Sequence, residues 1–552
     1  MEKKDGVFPI AILSLLTIGV PLLRWSLFLD GYLIKLWITQ WGAAALFIYF
    51  LFQVLFKARE ITIYPAVSCL LLAYLAVNIF SWSMIPLPQR RLAETVLLAG
   101  VTYILFFFLA VQYTSQKGAQ KKIILLWIFA ASVSCIIALS QYLRGWRVIA
   151  FLGNENFLAG YLVMTVPLAV GYFWKYRKVN KKIYIAGITA ISLYTVVLYL
   201  THSRGGWLGF FCSLLAFWII IHGPKGKRLL LAVVLVVSAI SIMHFPWVKD
   251  FIKLQFEGDV RPPIWKGAVN MLALRPWLGW GRGAFFIFYP QFRPQEYWLT
   301  DNPTDLTIHA HNEFLHIGAE TGLIGLVLFL ALVLIVIKKG IRIVDQRTGP
   351  GKYLLAGPIC AVIGLLFHNL VCNNLQMASS AVLFWLLLGM IVTQVPGGRF
   401  RLKINRMLSV LIFLAITAIT AIIIYQGQMR PMISQFLFKK GWVFRNQNNW
   451  EKAIGEYQKA LHWYPWDVEM QYRAAYAYTQ AGNIDKAINS YGKIINWAPY
   501  YGNAHRNLGV LYLKTEQYGP AAQSFLQAMA INEYDAISAY NLARARRLYA
   551  DK

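Results

Sequence analysis

From Val7 to about Gln426 the sequence is a succession of apolar runs, each roughly 17 to 25 residues long and parted by short polar breaks. A helix rising ~1.5 Å per residue needs about 20 apolar residues to cross the ~30 Å hydrocarbon core of a bilayer. About thirteen such runs can be counted, near 8–29, 33–56, 61–80, 94–114, 122–143, 157–174, 183–201, 205–222, 229–246, 316–337, 353–372, 377–395 and 407–426. This part of the chain is therefore expected to be an all-α, polytopic bundle. Only 14% of the 552 residues are charged, against about 25% in a soluble domain. A plain soluble enzyme and a disordered chain are excluded. Lys3 and Lys4 precede the first run as in a signal peptide. The run is too long for one, however, and Arg24-Trp25 stands where a small-residue cleavage site belongs, so it is read as a span. The five cysteines (Cys69, Cys135, Cys212, Cys360 and Cys372) are scattered through the spans and read as small core residues, not disulfides.

The net charge of +29, from 53 Lys and Arg against 24 Asp and Glu, first suggests a nucleic-acid partner. Position decides otherwise. With the N-terminus inside, inner loops carry Lys57/Arg59, Lys117/Lys121/Lys122, Lys175 to Lys182, Lys225/Lys227/Arg228, Lys338 to Lys352 and Arg399 to Arg406. Short outer loops carry only pairs such as Arg90/Arg91 and Arg144/Arg147. This is the positive-inside pattern, and no nucleic acid is expected. Two segments then face outward: a loop over 247–310 and everything after about Gly427. An error of one span would move the second to the cytoplasm.

The C-terminal segment repeats with a period of 34. Gly441, Ala475 and Gly509 recur at that interval, as do Ala453, Ala487 and Ala521, then Tyr457, Tyr491 and Phe525, and Pro465 with Pro499. Small residues where two helices cross, an aromatic knob and a closing proline resemble the tetratricopeptide repeat. The third unit departs by placing Glu533 at the proline position. The expected organisation is a membrane domain over 1–427 and a repeat domain over 431–552. The repeat units fall at about 432–465, 466–499 and 500–533, with a cap helix over 534–548. Such an array either braces the membrane domain or offers a concave surface to a protein partner.

Chemistry is expected on the outer face, where three polar motifs abut spans. They are Phe151-Leu-Gly-Asn154-Glu-Asn156-Phe-Leu-Ala-Gly160-Tyr, Thr201-His-Ser-Arg204-Gly205-Gly206-Trp-Leu-Gly209 and Ile308-His309-Ala-His311-Asn312-Glu313-Phe-Leu-His316-Ile-Gly-Ala-Glu320-Thr-Gly. Between the second and third lie Arg261-Pro-Pro-Ile-Trp265 and Pro276-Trp-Leu-Gly279-Trp-Gly281-Arg282-Gly283-Ala-Phe285. In this order, over roughly 60–395, the set resembles the O-antigen ligase and polymerase family of bacterial envelope glycosyltransferases. The resemblance implies a glycan carried on an undecaprenyl-diphosphate-type lipid and transferred to an acceptor hydroxyl outside the cytoplasmic (inner) membrane. The acceptor would be a glycan, a lipid core or a protein, and the reaction metal-independent and inverting, with no cofactor. By motif, the catalytic residues match Arg204, Arg261 and His311. Asn154, Asn156, Arg282, His309 and Asn312 are the expected substrate-binding residues.

Those residue types suit that chemistry. A departing diphosphate gathers negative charge, and arginine binds phosphate oxygens bidentately without ever deprotonating. At the start of a helix, His311 meets the positive end of the helix dipole, which favours the neutral, proton-accepting imidazole. His309, His311 and His316 lack metal-ligand spacing, since His311 and His316 do not share a helix face. Glu313 and Glu320 are expected at the water-facing end of their span, with Glu320 structural. Arg282 stands where the family pattern often has an uncharged residue. The rings between Trp247 and Trp298 suit both interfacial anchoring and a lid over the donor. The motifs do not separate a ligase from a polymerase that joins lipid-linked repeat units. A non-catalytic membrane scaffold recruiting partners through its repeats is the reading from a different class.

Overall fold

The computed structural model describes residues 7–23, 31–116, 118–223, 258–301, 303–304 and 306–551. The predicted span at 229–246 and the first part of the outer loop lie outside the described residues. The described chain is almost wholly helical. Its membrane part comprises α1 (Val7–Leu22), α2 (Gly31–Phe56), α3 (Pro65–Ser83), α4 (Gln89–Tyr113), α5 (Ala119–Leu143), α6 (Glu155–Trp174), α7 (Lys181–Leu200) and α8 (Arg204–His222). After the loop helix α9 (Arg261–Leu274) come α10 (Glu313–Gln346), α11 (Pro350–His368), α12 (Ala378–Val392) and α13 (Arg406–Ile424). Ten of the described helices are long and apolar enough to cross a membrane, and α1 and α12 are shorter apolar helices. The chain is a multi-pass membrane protein.

Helix α11 lies at the centre, packed on α6 and α8. Small residues allow that approach: a Cβ on Gly209 would stand 2.6 Å from the Gly364 carbonyl oxygen, and one on Gly171 only 2.4 Å from that of Tyr353. Close backbone contact of this kind substitutes for the hydrophobic drive that lipid cannot supply. On one side of the bundle, strand β1 (Ile61–Ile63) pairs antiparallel with β2 (Gly398–Phe400), Thr62 opposite Arg399. The opposite side carries the turns that bear the three motifs.

The repeat array forms on this motif-bearing side from α14 (Arg430–Asn446), α15 (Trp450–Trp463), α16 (Val468–Gln480), α17 (Ile484–Trp497), α18 (Gly502–Lys514), α19 (Tyr518–Ile531) and α20 (Ala536–Ala550). In the first and third units the crossing joins a glycine to an aromatic ring. A Cβ on Gly441 would meet Tyr457 at 2.5 Å, and one on Gly509 would meet Phe525 at 2.7 Å. Helix α20 closes the end, burying Leu542 and Ala545 against Ala521 and Phe525. The last span and the first repeat helix are a single helix, Arg406–Asn446, passing through a π turn at Tyr425–Met429.

The array rests on the membrane domain by one edge, the turns that end its units. Trp298 Nε1 donates to the Ile531 carbonyl at 3.0 Å, Gln89 Nε2 to that of Asn496 at 3.1 Å, and Tyr500 Oη to Gln291 Oε1 at 2.8 Å. The departure at the third unit now has a reason. The Glu533 amide, which a proline would lack, donates to Gln295 Oε1 at 3.1 Å. Ile85, Leu92, Ala284 and Ile287 of the membrane domain share one apolar cluster with the repeats.

Candidate active site

The first two motifs are clipped together. Asn154 caps α6, its Oδ1 accepting from the Asn156 amide at 2.8 Å. Ser203 caps α8, its Oγ accepting from the Gly206 amide at 3.1 Å and donating to Asn156 Oδ1 at 2.7 Å. Capping with Asn and Ser satisfies helix N–H groups that water would otherwise take. It also fixes Arg204 at the first position of α8. Gly205 is small because the turn after α11 presses on it: a Cβ there would lie 2.8 Å from His368 Cδ2.

Arg261 opens α9, and its amide donates to Asp259 Oδ1 at 2.9 Å. The other Asp259 oxygen lies 3.6 Å from Arg261 Nη1 and 3.9 Å from Arg204 Nη2. Two guanidinium groups more than 50 residues apart in the chain thus converge on one carboxylate. They border a cleft of about 510 Å³ whose wall also includes Asn156, Thr201 and His202.

His311, which feels the charges of Arg261 and Asp259, has φ at +51°, in the left-handed region, immediately before α10. Asn312 caps that helix, its Oδ1 accepting from the Phe314 and Leu315 amides at 3.0 Å. The Glu313 amide donates to the Asn369 carbonyl at 2.9 Å, which ties the turn to the end of α11. Burial, then the positive charge of Arg261, lowers the His311 imidazole to about 4, with Asp259 pulling the other way. At neutral pH His311 is a neutral ring able to accept a proton.

Arg282 and His309 belong to a different group. Arg282 does not border the cleft; its Nη1 donates to Glu320 Oε2 at 2.9 Å, with both side chains buried. Glu320 Oε1 also lies 3.5 Å from His316 Nε2 and accepts from the Phe285 amide at 3.3 Å. The rings of His316 and His309 are 5.5 Å apart, and burial lowers His309 well below the usual imidazole range. The expectation that Glu313 and Glu320 face water is corrected: their side chains are 2% and 1% exposed. The physical reason is the loop before α10, which folds over this end of the helix and seals it. The Trp280 and Gly281 amides donate to the Ala319 and Glu320 carbonyls, and Glu313 accepts from Gln376 Nε2. The fit depends on Gly281 (φ +112°) and Gly322 (φ +68°), where a Cβ would lie 2.2 Å from Ile85 Cγ1 and from the Trp277 backbone respectively.

Two parts of the site lie outside the motifs. One is Asp259. The other is the turn His368-Asn369-Leu-Val-Cys372-Asn373-Asn374-Leu-Gln376, whose polar side chains are buried beneath Arg204 and the His311 turn. Asn374 is the reason for Gly160, where a Cβ would overlap its amide at 2.5 Å. Neither Asp259 nor this turn belongs to a motif, so sequence reasoning missed both.

Residues 188–330 match the O-antigen ligase family, and residues 435–465 and 468–501 match two tetratricopeptide-repeat families. No curated protein matches the chain. Among solved structures, the chain is similar to the first tetratricopeptide-repeat domain of the human RPAP3 protein. The identity is 16%, over 22% of this chain and 95% of that one, with a TM-score of 0.21. It is also similar to the tetratricopeptide-repeat domain of Sgt2 from Aspergillus fumigatus, at 21% identity over 21% and 80% of the two chains and a TM-score of 0.20. This chain is thus a polytopic membrane protein in which residues 188–330 match the O-antigen ligase family and a C-terminal array matches tetratricopeptide repeats.

Proposed function

We propose that the protein transfers a glycan from an undecaprenyl-diphosphate-type lipid to an acceptor hydroxyl, on the outer face of a bacterial cytoplasmic membrane. The convergence of Arg204 and Arg261 on Asp259, with neutral His311 close to Arg261 and Asp259, carries this reading. Asp259 occupies the position in which a phosphate oxygen would accept from both guanidinium groups, carboxylate and phosphate being interchangeable partners for that fork.

In the proposed step His311 takes the proton of the acceptor hydroxyl as its oxygen bonds to the anomeric carbon. The bond from that carbon to the diphosphate oxygen breaks, and the electron pair leaves with the diphosphate. Arg204 and Arg261 stabilise the charge that gathers there. A single displacement inverts the anomeric centre and requires no metal from these residues. Asn154, Asn156 and Asn312 hold the helix starts that aim the three groups. Arg282 and His309 act one layer away, by holding the outer loop against α10. A protein partner on the repeats fits the same reading, since the array sits beside the loop that covers the site.

Reconstitution with a lipid-diphosphate-linked glycan and candidate acceptors tests it. His311→Ala and Arg204→Ala are each expected to abolish transfer. Wild-type rates in both variants would refute the reading. A single transfer to a different acceptor identifies a ligase, and growth in chain length identifies a polymerase.

A further inference from the structure

The cleft beside Arg204 has a second wall that neither the motifs nor the family match accounts for. It is formed by the end of α5 and the loop that follows it, which contribute Tyr142, and Trp146 with Arg147, respectively. The two rings are 51% and 59% exposed, a large apolar area for a segment packed so tightly from below. Gln141 pins the loop from within the bundle. Its Oε1 accepts from the Ile149 and Ala150 amides at 3.1 and 2.7 Å, and its Nε2 donates to the Ala150 carbonyl at 3.0 Å. The buried Lys35 ammonium donates to the Phe151 carbonyl from α2. Above, Arg147 and Glu155 form a bidentate pair at 2.6 and 2.5 Å on the rim, and Arg144 lies 5.3 Å over the Trp146 ring.

Aromatic side chains gathered at the membrane surface commonly serve as anchors. An anchor needs depth alone. This loop is instead fixed in register with Arg204 by buried polar side chains, and its rings border a volume within the range of small-molecule sites. An exposed indole face beside fixed hydrogen-bonding groups suits a ligand with one apolar face and a rim of hydroxyls. A pyranose ring has that character. The place also fits, because the same cleft contains both arginines.

We propose that Trp146 and Tyr142 form the wall that receives the saccharide ring attached to the donor's diphosphate, with the Arg147–Glu155 pair meeting its hydroxyls. The assignment rests on the proposed glycan transfer, in which Arg204 and Arg261 hold the diphosphate. Trp146 then sets which sugar is accepted, whereas the arginines respond to the diphosphate alone.

The test measures binding to the full chain in lipid nanodiscs, using bare polyprenyl diphosphate and the same lipid bearing one sugar. Wild type is expected to prefer the sugar-bearing lipid. Trp146→Ala is expected to lose about tenfold on that lipid and nothing on the bare one, the scale of a lost aromatic stack. Trp146→Phe retains most of the preference, and Tyr142→Ala weakens it in the same direction. Arg204→Ala weakens both lipids. If both alanine variants keep the full preference, the wall is wrongly assigned while the transfer reading stands. If they leave donor binding intact and raise KM for the acceptor, the wall serves the acceptor and the assignment is overturned. If wild type binds neither lipid, or Arg204→Ala binds both as wild type does, the underlying transfer reading fails instead.

Discussion

Arg282 reaches Glu320 across 2.9 Å in a setting where the two side chains are only 8% and 1% exposed. They are 38 residues apart, one in the loop before α10 and the other in the third motif. Removing either partner strands a buried charge. Arg282→Met or Glu320→Leu alone is therefore expected to cost about 3–5 kcal/mol, and the double variant much less than the sum. A thermal-stability double-mutant cycle on the solubilised protein checks this; additive losses would contradict it.

The electrostatics around His311 predict a pH profile. With the imidazole lowered to about 4, the proton-accepting form dominates at all higher pH. The transfer rate is expected to stay flat through neutrality and to fall on the acid side, as pH drops toward that value. Asp259→Asn removes the neighbour that raises the imidazole, so its acid limb moves lower. Arg261→Gln removes one that lowers it, so the residual activity of that variant loses its proton-accepting form at higher pH. Limbs that coincide in all three proteins would refute the assignment of His311 as the base.

Gly322 interrupts α10 with φ at +68°, and a Cβ there would sit 2.2 Å from the Trp277 backbone. Gly322→Ala combines an unfavourable left-handed residue with a clash that no side-chain rotation relieves. Destabilisation of about 2–5 kcal/mol is expected. A melting temperature unchanged from wild type would count against the loop being held as described.

Glu533→Pro offers a gentle way to loosen the repeats from the membrane domain. Proline occupies the equivalent position in the other two units, so the fold of the array should survive. The hydrogen bond to Gln295 is lost, together with the carboxylate's contact with Tyr534 at the exposed rim. Hydrogen exchange in residues 285–298 should rise about three- to tenfold, in keeping with a bond worth about 0.5–1.5 kcal/mol. The repeats themselves should exchange as before.

The parts of the fold that were legible in sequence are those written in local periodicity. Apolar length announced the spans, and the 34-residue interval announced the helix pairs, down to the Gly441–Tyr457 and Gly509–Phe525 contacts. The helix start beside His311 was legible too, whereas the capping by Ser203 and Asn312 emerged only from the structure. Pairings over long separations left no such trace. Nothing near Asp259 indicates that it meets Arg204, and nothing near Glu320 indicates that a loop arginine covers it. The loop's burial of Glu313 and Glu320 depends on Gly281 and Gly322 fitting against distant backbone, which composition does not encode. The turn from His368 to Gln376 was equally silent, since its residues acquire meaning only when Asn374 is seen to demand Gly160, and His368 and Val371 to demand Gly205.

The unbroken helix from Arg406 to Asn446 turns the last membrane crossing into a mast for the repeats. Because the array is also moored at two unit-ending turns, it is held by more than its first helix rather than trailing on a tether. Molecules caught by a tethered module explore a wide volume, and their local concentration at a nearby target thins as the tether lengthens. Cargo seated on a moored array keeps one bearing and one distance from the cleft. Reach is surrendered, and aim is gained.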